Sequence, residues 1–431
     1  MKVLILGGYG LIGREITRRL LHDGFDLAGI ARPGRRRAAL IEGVDWIRAD
    51  LRTLTSAQAW APLLKDVGAV VNASGALQSG GQDDLAAVQR DAIRALITAC
   101  ETAGVATFVQ ISAPGADTND ALEFLSTKGE ADETLRGSRL DWVILRPGLV
   151  ISATAYGGTS LIRMLAGFPL VQPIVLAAAR VQCVGADDVA RAALRALREP
   201  ALRRREFDLV EPEARTLAET VLAFRRWLGF SPPLCVVALP MWFGLAVARL
   251  ADLAGALGWR SPLRSTALRV LAGNVTGDPE PWRQATGERL QGLNEVLAGL
   301  PSTLQERLYA RARLLFPVLA MGFSLFWIVS GLIGLFSRDA AVALIAAPLG
   351  EPAARAFVLA GSAFDILVGA GLLVRRWFRA ACLAAAALSA GYLIAGTLVT
   401  PALWADPLGP FVKGIPIIML ALVLAALAEE R

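Results

Sequence analysis

The sequence predicts an α/β fold class, a doubly wound parallel sheet, followed by an all-α domain of four transmembrane helices. A glycine-rich turn follows an apolar strand at the amino terminus, and further apolar strands alternate with helical segments over residues 1–230. Charged residues become sparse beyond Arg313, where four long apolar runs follow one another. Strands that alternate with helices are typical of parallel sheets, and long apolar runs are typical of membrane spans.

The first strand and its turn carry the most specific pattern. Residues 3–6 are a continuous apolar run, as expected of a strand that is covered on both faces. Gly7, Gly10 and Gly13 follow, and residues 14–22 have helical spacing. In a dinucleotide-binding turn, these glycines allow a tight turn, close approach of a pyrophosphate and helix packing, in that order. The pattern predicts nucleotide binding, with an ordinary glycine turn as the alternative.

The second predicted strand, residues 26–32, indicates which cofactor is bound. Its end should lie beside the adenosine ribose, where an acidic side chain would favour NAD. Arg32 occupies that place, with Arg35 and Arg36 close behind. A guanidinium suits the 2′-phosphate of NADP, so the sequence predicts that NADPH is preferred over NAD. A surface arginine is the alternative.

Further elements complete the predicted sheet. Strands are expected at residues 44–48, 69–71, 107–111 and 206–210, and helices at residues 56–66, 83–103 and 216–228. Residues 181–184 are expected to return to the same sheet before another helix. Together they predict a doubly wound sheet with right-handed crossovers.

Composition excludes several classes of protein. Of the 431 residues, 55% are hydrophobic and 19% charged, which places part of the chain in lipid. The net charge of +6 comes from arginine clusters that membrane topology explains, so no nucleic-acid partner is expected. The four cysteines are widely spaced, which predicts neither disulfides nor a metal site. The one histidine, His22, leaves no Ser-His-Asp triad, and no cleavable signal peptide is expected.

Six motifs occur in the order found in one family. They are Gly-Gly-Tyr-Gly-Leu-Ile-Gly (residues 7–13), Asp50-Leu51, Asn72-Ala73-Ser74-Gly75, Ile-Ser-Ala-Pro-Gly-Ala (residues 111–116), Thr127-Lys128 and Ile-Leu-Arg-Pro-Gly (residues 144–148). In these motifs, roughly residues 1–230 resemble an atypical short-chain dehydrogenase/reductase with a Rossmann fold. The similar branch includes NmrA-like proteins and the nucleotide-binding accessory subunit of respiratory complex I.

The resemblance implies a set of cofactor-binding residues. Asp50 and Leu51 would flank the adenine, residues 72–75 would line the cofactor, and Pro147 would lie near the nicotinamide. With the glycine turn, the implied set is Gly7, Tyr9, Gly10, Leu11, Ile12, Gly13, Arg32, Asp50, Leu51, Asn72, Ala73, Ser74, Gly75, Ser112, Lys128 and Pro147.

The resemblance also implies a catalytic site that is incomplete. The family uses Tyr-x-x-x-Lys and an upstream serine, in which the tyrosine exchanges a proton with the substrate. Ser112 and Lys128 match two of these roles, but Phe124 stands where the tyrosine belongs. Tyr156 is an alternative source of a phenol. The competing interpretation is that Ser112 only caps a strand end and Lys128 is a solvated helix residue.

The carboxyl-terminal part is predicted to span a membrane. Residues 314–336, 356–374, 380–399 and 411–428 are each about long enough to cross a bilayer of roughly 30 Å. Their order and the Trp-Ala-Asp-Pro-Leu-Gly-Pro segment before the last one (residues 404–410) resemble the DoxX-like membrane domain. The expected domains are a nucleotide-binding domain (1–230), a helical connecting region (231–313) and the membrane domain (314–431).

Charge indicates the orientation in the inner (cytoplasmic) membrane. Three arginines precede the first span, and Arg375, Arg376 and Arg379 separate the second from the third. Positive charge is retained on the cytoplasmic side, which predicts that the nucleotide-binding domain and both termini are cytoplasmic. Asp365, in the second span, is expected to have a proton or quinone role or an interhelical bond to Ser324, Ser389 or Tyr392. Residues 240–257 are expected to form a helix at the membrane interface or packed on the nucleotide-binding domain.

Two functions fit this sequence. The first is a membrane-anchored NADPH-dependent oxidoreductase acting on a lipid-soluble substrate such as a quinone. The second is a non-catalytic nucleotide-binding subunit for assembly or regulation of a membrane redox complex, which Phe124 favours.

Overall fold

The computed structural model describes residues 1–34, 40–75, 84–259, 261, 263–407 and 409–428. The chain divides into two compact units. The first unit contains Met1–Asp252 and Ser261–Ala310, and the second contains Leu253–Arg260 and Arg311–Arg431.

The strands lie in the first unit. They are β1 (Lys2–Leu6), β2 (Asp26–Ala31), β3 (Asp45–Arg48), β4 (Val67–Asn72), β5 (Thr107–Ile111), β6 (Asp141–Pro147), β7 (Leu149–Ile151), β8 (Val171–Val175), β9 (Arg180–Val181), β10 (Cys183–Gly185), β11 (Arg205–Leu209), β12 (Arg215–Thr216) and β13 (Cys235–Leu239).

The helices occur in both units. They are α1 (Leu11–His22), α2 (Ala57–Trp60), α3 (Ala92–Ala103), α4 (Glu123–Arg136), α5 (Gly157–Ala166), α6 (Ala186–Arg198), α7 (Leu217–Trp227), α8 (Met241–Ala256), α9 (Ser265–Ala272), α10 (Glu280–Thr286), α11 (Leu293–Ala298), α12 (Leu304–Phe336), α13 (Arg338–Leu349), α14 (Glu351–Leu373), α15 (Phe378–Val399) and α16 (Pro410–Leu427).

A seven-stranded parallel sheet, in the order β3-β2-β1-β4-β5-β6-β11, confirms the predicted fold class. Successive side chains of β1 enter different cores. Val3 and Ile5 pack with α1 and α6, whereas Leu4 and Leu6 pack with α3. Alternation in a strand buries both faces, which explains the continuous apolar run. The strand order reverses between β1 and β4, where a doubly wound sheet opens a crevice for ligands.

Three predicted elements differ from the observed ones. Strand β10 does not return to the main sheet but pairs with β7, because β11 already occupies the free edge of β6. The helix predicted over residues 56–66 is only α2, followed by a 3₁₀ turn at Ala61–Leu64 that contains Pro62. Residue 83, the predicted start of the next helix, lies outside the described residues, and a π-helical turn at Ala86–Asp91 precedes α3.

Among the described residues, four apolar helices are long enough to cross a membrane, namely α12, α14, α15 and α16. They correspond to the four predicted runs. Helix α13, between the first and second of them, was not predicted. A cluster of aromatic and small side chains, including Phe323, Trp327, Leu372 and Ala385, forms the core of this unit.

Asp365 on α14 is buried and bonded to two neighbouring helices. Tyr392 on α15 donates a hydrogen bond to Asp365 Oδ1 at 2.8 Å, as one of the predicted alternatives requires. The second donor is Ser330 on α12, at 2.9 Å from Oδ2. Ser324 instead donates to the carbonyl of Gly369, so it is not the partner of Asp365.

Candidate functional site

The glycine turn leaves no room for side chains at two of its three positions. Gly7 has a φ of +71°. A Cβ atom on Gly7 would lie 2.7 Å from the carbonyl carbon of Ala73, and one on Gly13 would lie 2.7 Å from the carbonyl carbon of Gly7. At Gly10 the nearest atom, the Gly7 carbonyl oxygen, would be 3.1 Å away, so that position is less tightly enclosed. The turn therefore presents bare backbone at the end of β1.

Helix α1 begins directly after this turn. Its N-cap is Gly10, so no side chain caps the amide groups of the first turn, which includes Leu11 and Ile12. The backbone amide of Gly10 donates to the Gly7 carbonyl at 2.8 Å and closes the loop. Tyr9 lies on the outer side, with its ring 6.0 Å from that of Trp46. Amides at a helix N-terminus next to a glycine cradle form a phosphate-binding arrangement.

Arg32, Asp50 and Leu51 lie at the carboxyl ends of β2 and β3. Asp50 caps the 3₁₀ turn Leu51–Thr53 and accepts a bidentate bond from Arg52. That bond lowers the pKa of Asp50, and the charge of Arg32 lowers it further. Arg32 is half-buried. Arg35 and Arg36, the expected additional phosphate ligands, lie outside the described residues.

Strand β4 ends on the predicted segment Asn72, Ala73, Ser74 and Gly75. The Asn72 amide donates to Gln110 on β5 at 2.8 Å, and its oxygen accepts bonds from the Ser74 amide and hydroxyl. Since Leu6 pairs with Asn72, this segment lies beside the glycine turn. The order of β1 and β4 in the sheet thus brings two separate predicted motifs together.

Lys128 lies in the interior, not in solvent, so the interpretation as a solvated helix residue is wrong. Its side chain is 7% exposed, and the ammonium donates to the Ile111 carbonyl at 3.1 Å. The ammonium is 5.9 Å from the centre of the Phe124 ring and 3.7 Å from the point where a Cβ of Gly75 would lie. Burial lowers the pKa of Lys128. Helix α4 therefore brings Lys128 to the end of the β4 segment.

Ser112 is joined to an acidic residue that sequence reasoning missed. Its hydroxyl is 2.6 Å from Asp132 Oδ2, and Asp132 is wholly buried. Burial raises the pKa of Asp132. Arg146 approaches only to 3.8 Å, because its guanidinium is paired with Glu206 at 2.6 Å. Asp132 follows Lys128 by four residues, which places both on the same face of α4. This spacing is the feature of the sequence from which Asp132 could have been identified as part of the site.

The two other predicted participants lie on β6 and after β7. Pro147 is buried at the end of β6, opposite Leu209 of β11. Tyr156 is the N-cap of α5, and its ring is exposed.

Comparison with known proteins agrees with this geometry. Residues 7–200 match the NAD(P)H-binding family model, and residues 324–422 match the DoxX-like family model. The chain thus has an NAD(P)H-binding, Rossmann-type domain that is similar to short-chain dehydrogenases/reductases. A C-terminal DoxX-like domain with apolar helices follows it, so both predicted resemblances are confirmed.

Several curated relatives match the first unit. An uncharacterized sugar epimerase of Bacillus subtilis is 29% identical over 49% of this chain and 94% of its own length. The NAD(P)H azoreductase of Xenophilus azovorans is 26% identical over 53% of this chain and 74% of its own. The photosystem II assembly factor Ycf39 of Trieres chinensis is 28% identical over 48% and 63%.

Solved structures share the fold. The Bordetella bronchiseptica enzyme WbmH in complex with NAD+ superimposes with a TM-score of 0.52 and 18% identity. The match covers 72% of this chain and 98% of that chain.

Proposed function

We propose that this protein is a membrane-anchored oxidoreductase that uses NADPH in preference to NAD and reduces a lipid-soluble carbonyl compound such as a quinone. The main support is the position of three buried polar side chains. Lys128 and Asp132 lie on α4, and Ser112 follows β5, next to the glycine-lined crevice. The likeness to an NAD(P)H azoreductase supports redox chemistry.

The residues fit a dinucleotide because the turn at Gly7 and Gly13 has space only for backbone. In the proposal, the first amides of α1 bind the pyrophosphate and Arg32 binds the 2′-phosphate of NADPH. The segment from Asn72 to Gly75 lines the cofactor. The bound nicotinamide supplies the hydride.

Lys128 has a binding role in this proposal. Its ammonium is fixed by the Ile111 carbonyl beside Gly75, with two further donor hydrogens available to a ribose. Since burial lowers the pKa of Lys128, a hydrogen-bonding partner with acceptor oxygens would restore part of the lost solvation.

We further propose that Ser112 supplies the proton that a phenol supplies elsewhere in the family. In the structure Ser112 donates to Asp132 Oδ2. In the neutral form of Asp132, which burial favours, the carboxyl hydroxyl can instead donate to Ser112 Oγ and so turn the serine proton outward. A bound NADPH would supply a hydride and Ser112 would supply a proton to the quinone oxygen that gains negative charge, which together convert the quinone into the quinol. The Asp132 proton then moves to Ser112, and Asp132 is refilled from solvent.

The membrane domain supports a substrate that remains in the bilayer. In the part of the chain that the structure describes, four helices are long and apolar enough to cross a membrane. We propose the inner membrane as the location, with the nucleotide-binding domain (1–230) and both termini in the cytoplasm and residues 231–313 as the connecting region. The arginines between α14 and α15 support this orientation. A reporter fused after Arg431 should be cytoplasmic, and a tag near Pro407 should be accessible from outside.

Purified full-length protein in detergent tests the activity. We expect it to carry NADPH and to oxidise it with decylubiquinone, with quinol formed in equal amount. Ser112→Ala should abolish turnover but keep the bound nucleotide. Bound nucleotide without any turnover, across quinones and other carbonyl probes, would contradict the enzyme.

A non-catalytic role in assembly is the second candidate, favoured by Phe124 and by the likeness to a photosystem II assembly factor. It predicts that Lys128→Ala leaves cellular function intact whereas Gly13→Val abolishes it. It also predicts that the tagged protein co-purifies with subunits of a membrane redox complex.

A further inference from the structure

Helix α8 has an apolar face directed outward. The side that packs inward contains Gly244 and Ala248. The opposite side exposes Trp242, which is 69% exposed, and Leu250, which is 57% exposed. In a helix that borders water, the outward stripe is polar. In α8 the outward side is apolar instead, so this side is not suited to contact with water.

The neighbouring two-stranded sheet extends this apolar surface. Strand β13 pairs with β8 in parallel, and a Cβ on Gly244 would lie 2.6 Å from Val175 at the end of β8, so α8 packs closely on this sheet. We define the α8–β13 face by its exposed apolar side chains. They are Trp242, Phe243 and Leu250 on α8, Val237 on the same side of the sheet as Val175, and Leu170 and Leu234 just before the two strands. Exposed apolar surface of this kind is typical of a binding surface.

The chain that leaves α8 reaches the end of two candidate membrane spans. In the second unit, the Trp259 indole donates to the carbonyl of Leu373, the last residue of α14, at 2.7 Å. Its ring lies 5.0 Å from that of Phe378, the first residue of α15. Arg375 stacks on the same ring at 5.4 Å. Trp259, three residues after the end of α8, therefore contacts the end of α14 and the start of α15.

Three residues of extended chain span at most about 11 Å. In addition, the Arg375 amide, just after α14, donates to the carbonyl of Leu257, the residue that follows α8, at 3.0 Å. The carboxyl end of α8 therefore lies beside the end of α14. Arginines occur at this level, at positions 375, 376 and 379, and Arg249 is exposed on α8. Aromatic and leucine side chains combined with arginine are the composition of helices that lie in a membrane surface.

We propose that the α8–β13 face lies against the lipid surface, with Trp242, Phe243 and Leu250 inserted at the boundary between headgroups and acyl chains. Attachment to the membrane spans keeps this face close to lipid at a high effective concentration, which favours lipid over an independent protein partner. Anionic headgroups complement Arg249 and the arginines after α14. The proposal does not depend on turnover and goes beyond the proposed reaction.

Depth-dependent quenching in the full-length protein tests this. Cys235, on β13, is exposed, whereas Cys100, Cys183 and Cys382 are buried. A Cys235→Ser background with Leu250→Cys carries an environment-sensitive fluorophore in vesicles of phosphatidylcholine with a minority of phosphatidylglycerol. Thr98→Cys, exposed on α3, is the matched control. Retained nucleotide content reports that each variant is folded.

We expect the Leu250→Cys probe to be quenched by phospholipid with a doxyl group near the head of the acyl chain, and weakly by aqueous iodide. The Thr98→Cys probe should show the reverse. Equal iodide quenching at both positions would overturn the proposal, because the face would then be in water. Shielding from both quenchers would also overturn it, because protein from a second copy or another subunit would then cover the face.

Discussion

The hydroxyl of Ser112 lies 2.6 Å from the carboxyl of Asp132, and both groups are buried behind the ends of β4 and β5. Arg146 pairs with Glu206 at 2.6 Å and lies 3.8 Å from Asp132, and the charge of Lys128 also acts on Asp132. Burial nevertheless raises the pKa of Asp132 against these charges, so the pair favours a shared proton. Such a proton would be available for transfer to the substrate in a site that has no tyrosine hydroxyl at the family's usual position.

Asp132→Asn tests the shared proton through activity. Since burial raises the pKa of Asp132, the rate of the unmodified protein should fall as pH rises through that raised pKa. The variant should lose this pH dependence and be slower by about 10²-fold or more, the typical value of positioned proton transfer. Steady-state NADPH oxidation across pH measures both effects. Glu133→Gln, exposed on the same helix, is the control and should keep the profile.

The same group predicts how stability changes with pH. The unfolded chain releases the Asp132 proton near pH 4, while the folded protein holds it to higher pH. The contribution of Asp132 to the free energy of unfolding is therefore largest below pH 4 or so and declines as pH rises through the folded pKa. Thermal unfolding in detergent should show this decline in the unmodified protein relative to Asp132→Asn. A difference that is constant with pH would contradict it.

Gly13→Ala should weaken nucleotide binding. The new methyl would overlap the Gly7 carbonyl, whose shift would open the turn at the phosphate position. Overpacking of this kind costs typically about 1–3 kcal/mol, which corresponds to about 5- to 150-fold in affinity. Gly10→Ala should be milder, because its methyl would be 3.1 Å from the same oxygen. Isothermal titration with NADPH measures the series.

The control for this series is Gly137→Ala, at the end of α4, where the nearest atoms would be at 3.7 Å. It should bind NADPH normally. Equal affinity in Gly13→Ala and Gly137→Ala would mean that the nucleotide does not use this turn.

Local patterns predicted much of this fold, and long-range packing decided the rest. The glycine spacing and the apolar strand β1 are properties of adjacent residues, so they could be identified in the sequence. The partnership of Ser112 with Asp132 depends on how α4 packs on β5, twenty residues apart in the chain. Nothing local distinguishes Asp132 from the exposed Glu133 beside it.

The same distinction applies to the membrane domain. Length and hydropathy alone identify the four spans, and an ionisable residue within one of them predicts a polar partner. Whether the partner of Asp365 is Ser330 or Ser324 depends on the rotation of α12, because the two serines lie six residues apart on different faces. The rotation of a helix about its axis is set by packing against its neighbours, and hydropathy carries no information about that packing.

Arg32→Asp should remove a preference for NADPH. In the unmodified protein we expect NADPH to bind at least about tenfold more tightly than NADH, which corresponds to about 1.4 kcal/mol. The aspartate would repel the 2′-phosphate and accept bonds from the NADH ribose. Titrations with both nucleotides measure the ratio. Arg139→Asp makes the same charge change at the amino end of β6, away from the site, and should leave it unchanged.

Asp365→Leu should weaken the packing of α12, α14 and α15. It would remove the acceptor of the Ser330 hydroxyl and leave the Tyr392 hydroxyl only the Gly361 carbonyl, at 3.2 Å. Interhelical hydrogen bonds in membranes average about 0.6 kcal/mol and reach about 1.7 kcal/mol. Thermal unfolding in detergent should therefore show a modest loss, smaller in Asp365→Asn, which keeps an acceptor. A variant with leucine as stable as the unmodified protein would contradict the structural role of these bonds.

Phe124→Tyr is expected to raise activity. The Lys128 ammonium is 5.9 Å from the centre of the Phe124 ring, so a phenol on that ring would enter the field of the ammonium. A neighbouring positive charge lowers the pKa of a phenol and makes it a better proton donor. If the site transfers hydride, the variant gains a second proton source beside Ser112. General acid catalysis contributes typically about 10²- to 10⁴-fold, and NADPH-dependent quinone reduction should increase toward that range.

The double variant Phe124→Tyr with Ser112→Ala separates the two donors. If Ser112 is the native proton source, the double variant should keep activity that Ser112→Ala alone has lost, because the phenol replaces the serine. Phe124→Leu is the control for the loss of the aromatic ring and should gain nothing. Activity that is unchanged in Phe124→Tyr but lost in Tyr156→Phe would instead assign the proton to the exposed phenol at the start of α5. If none of these variants turns over while NADPH remains bound, the nucleotide has a structural role.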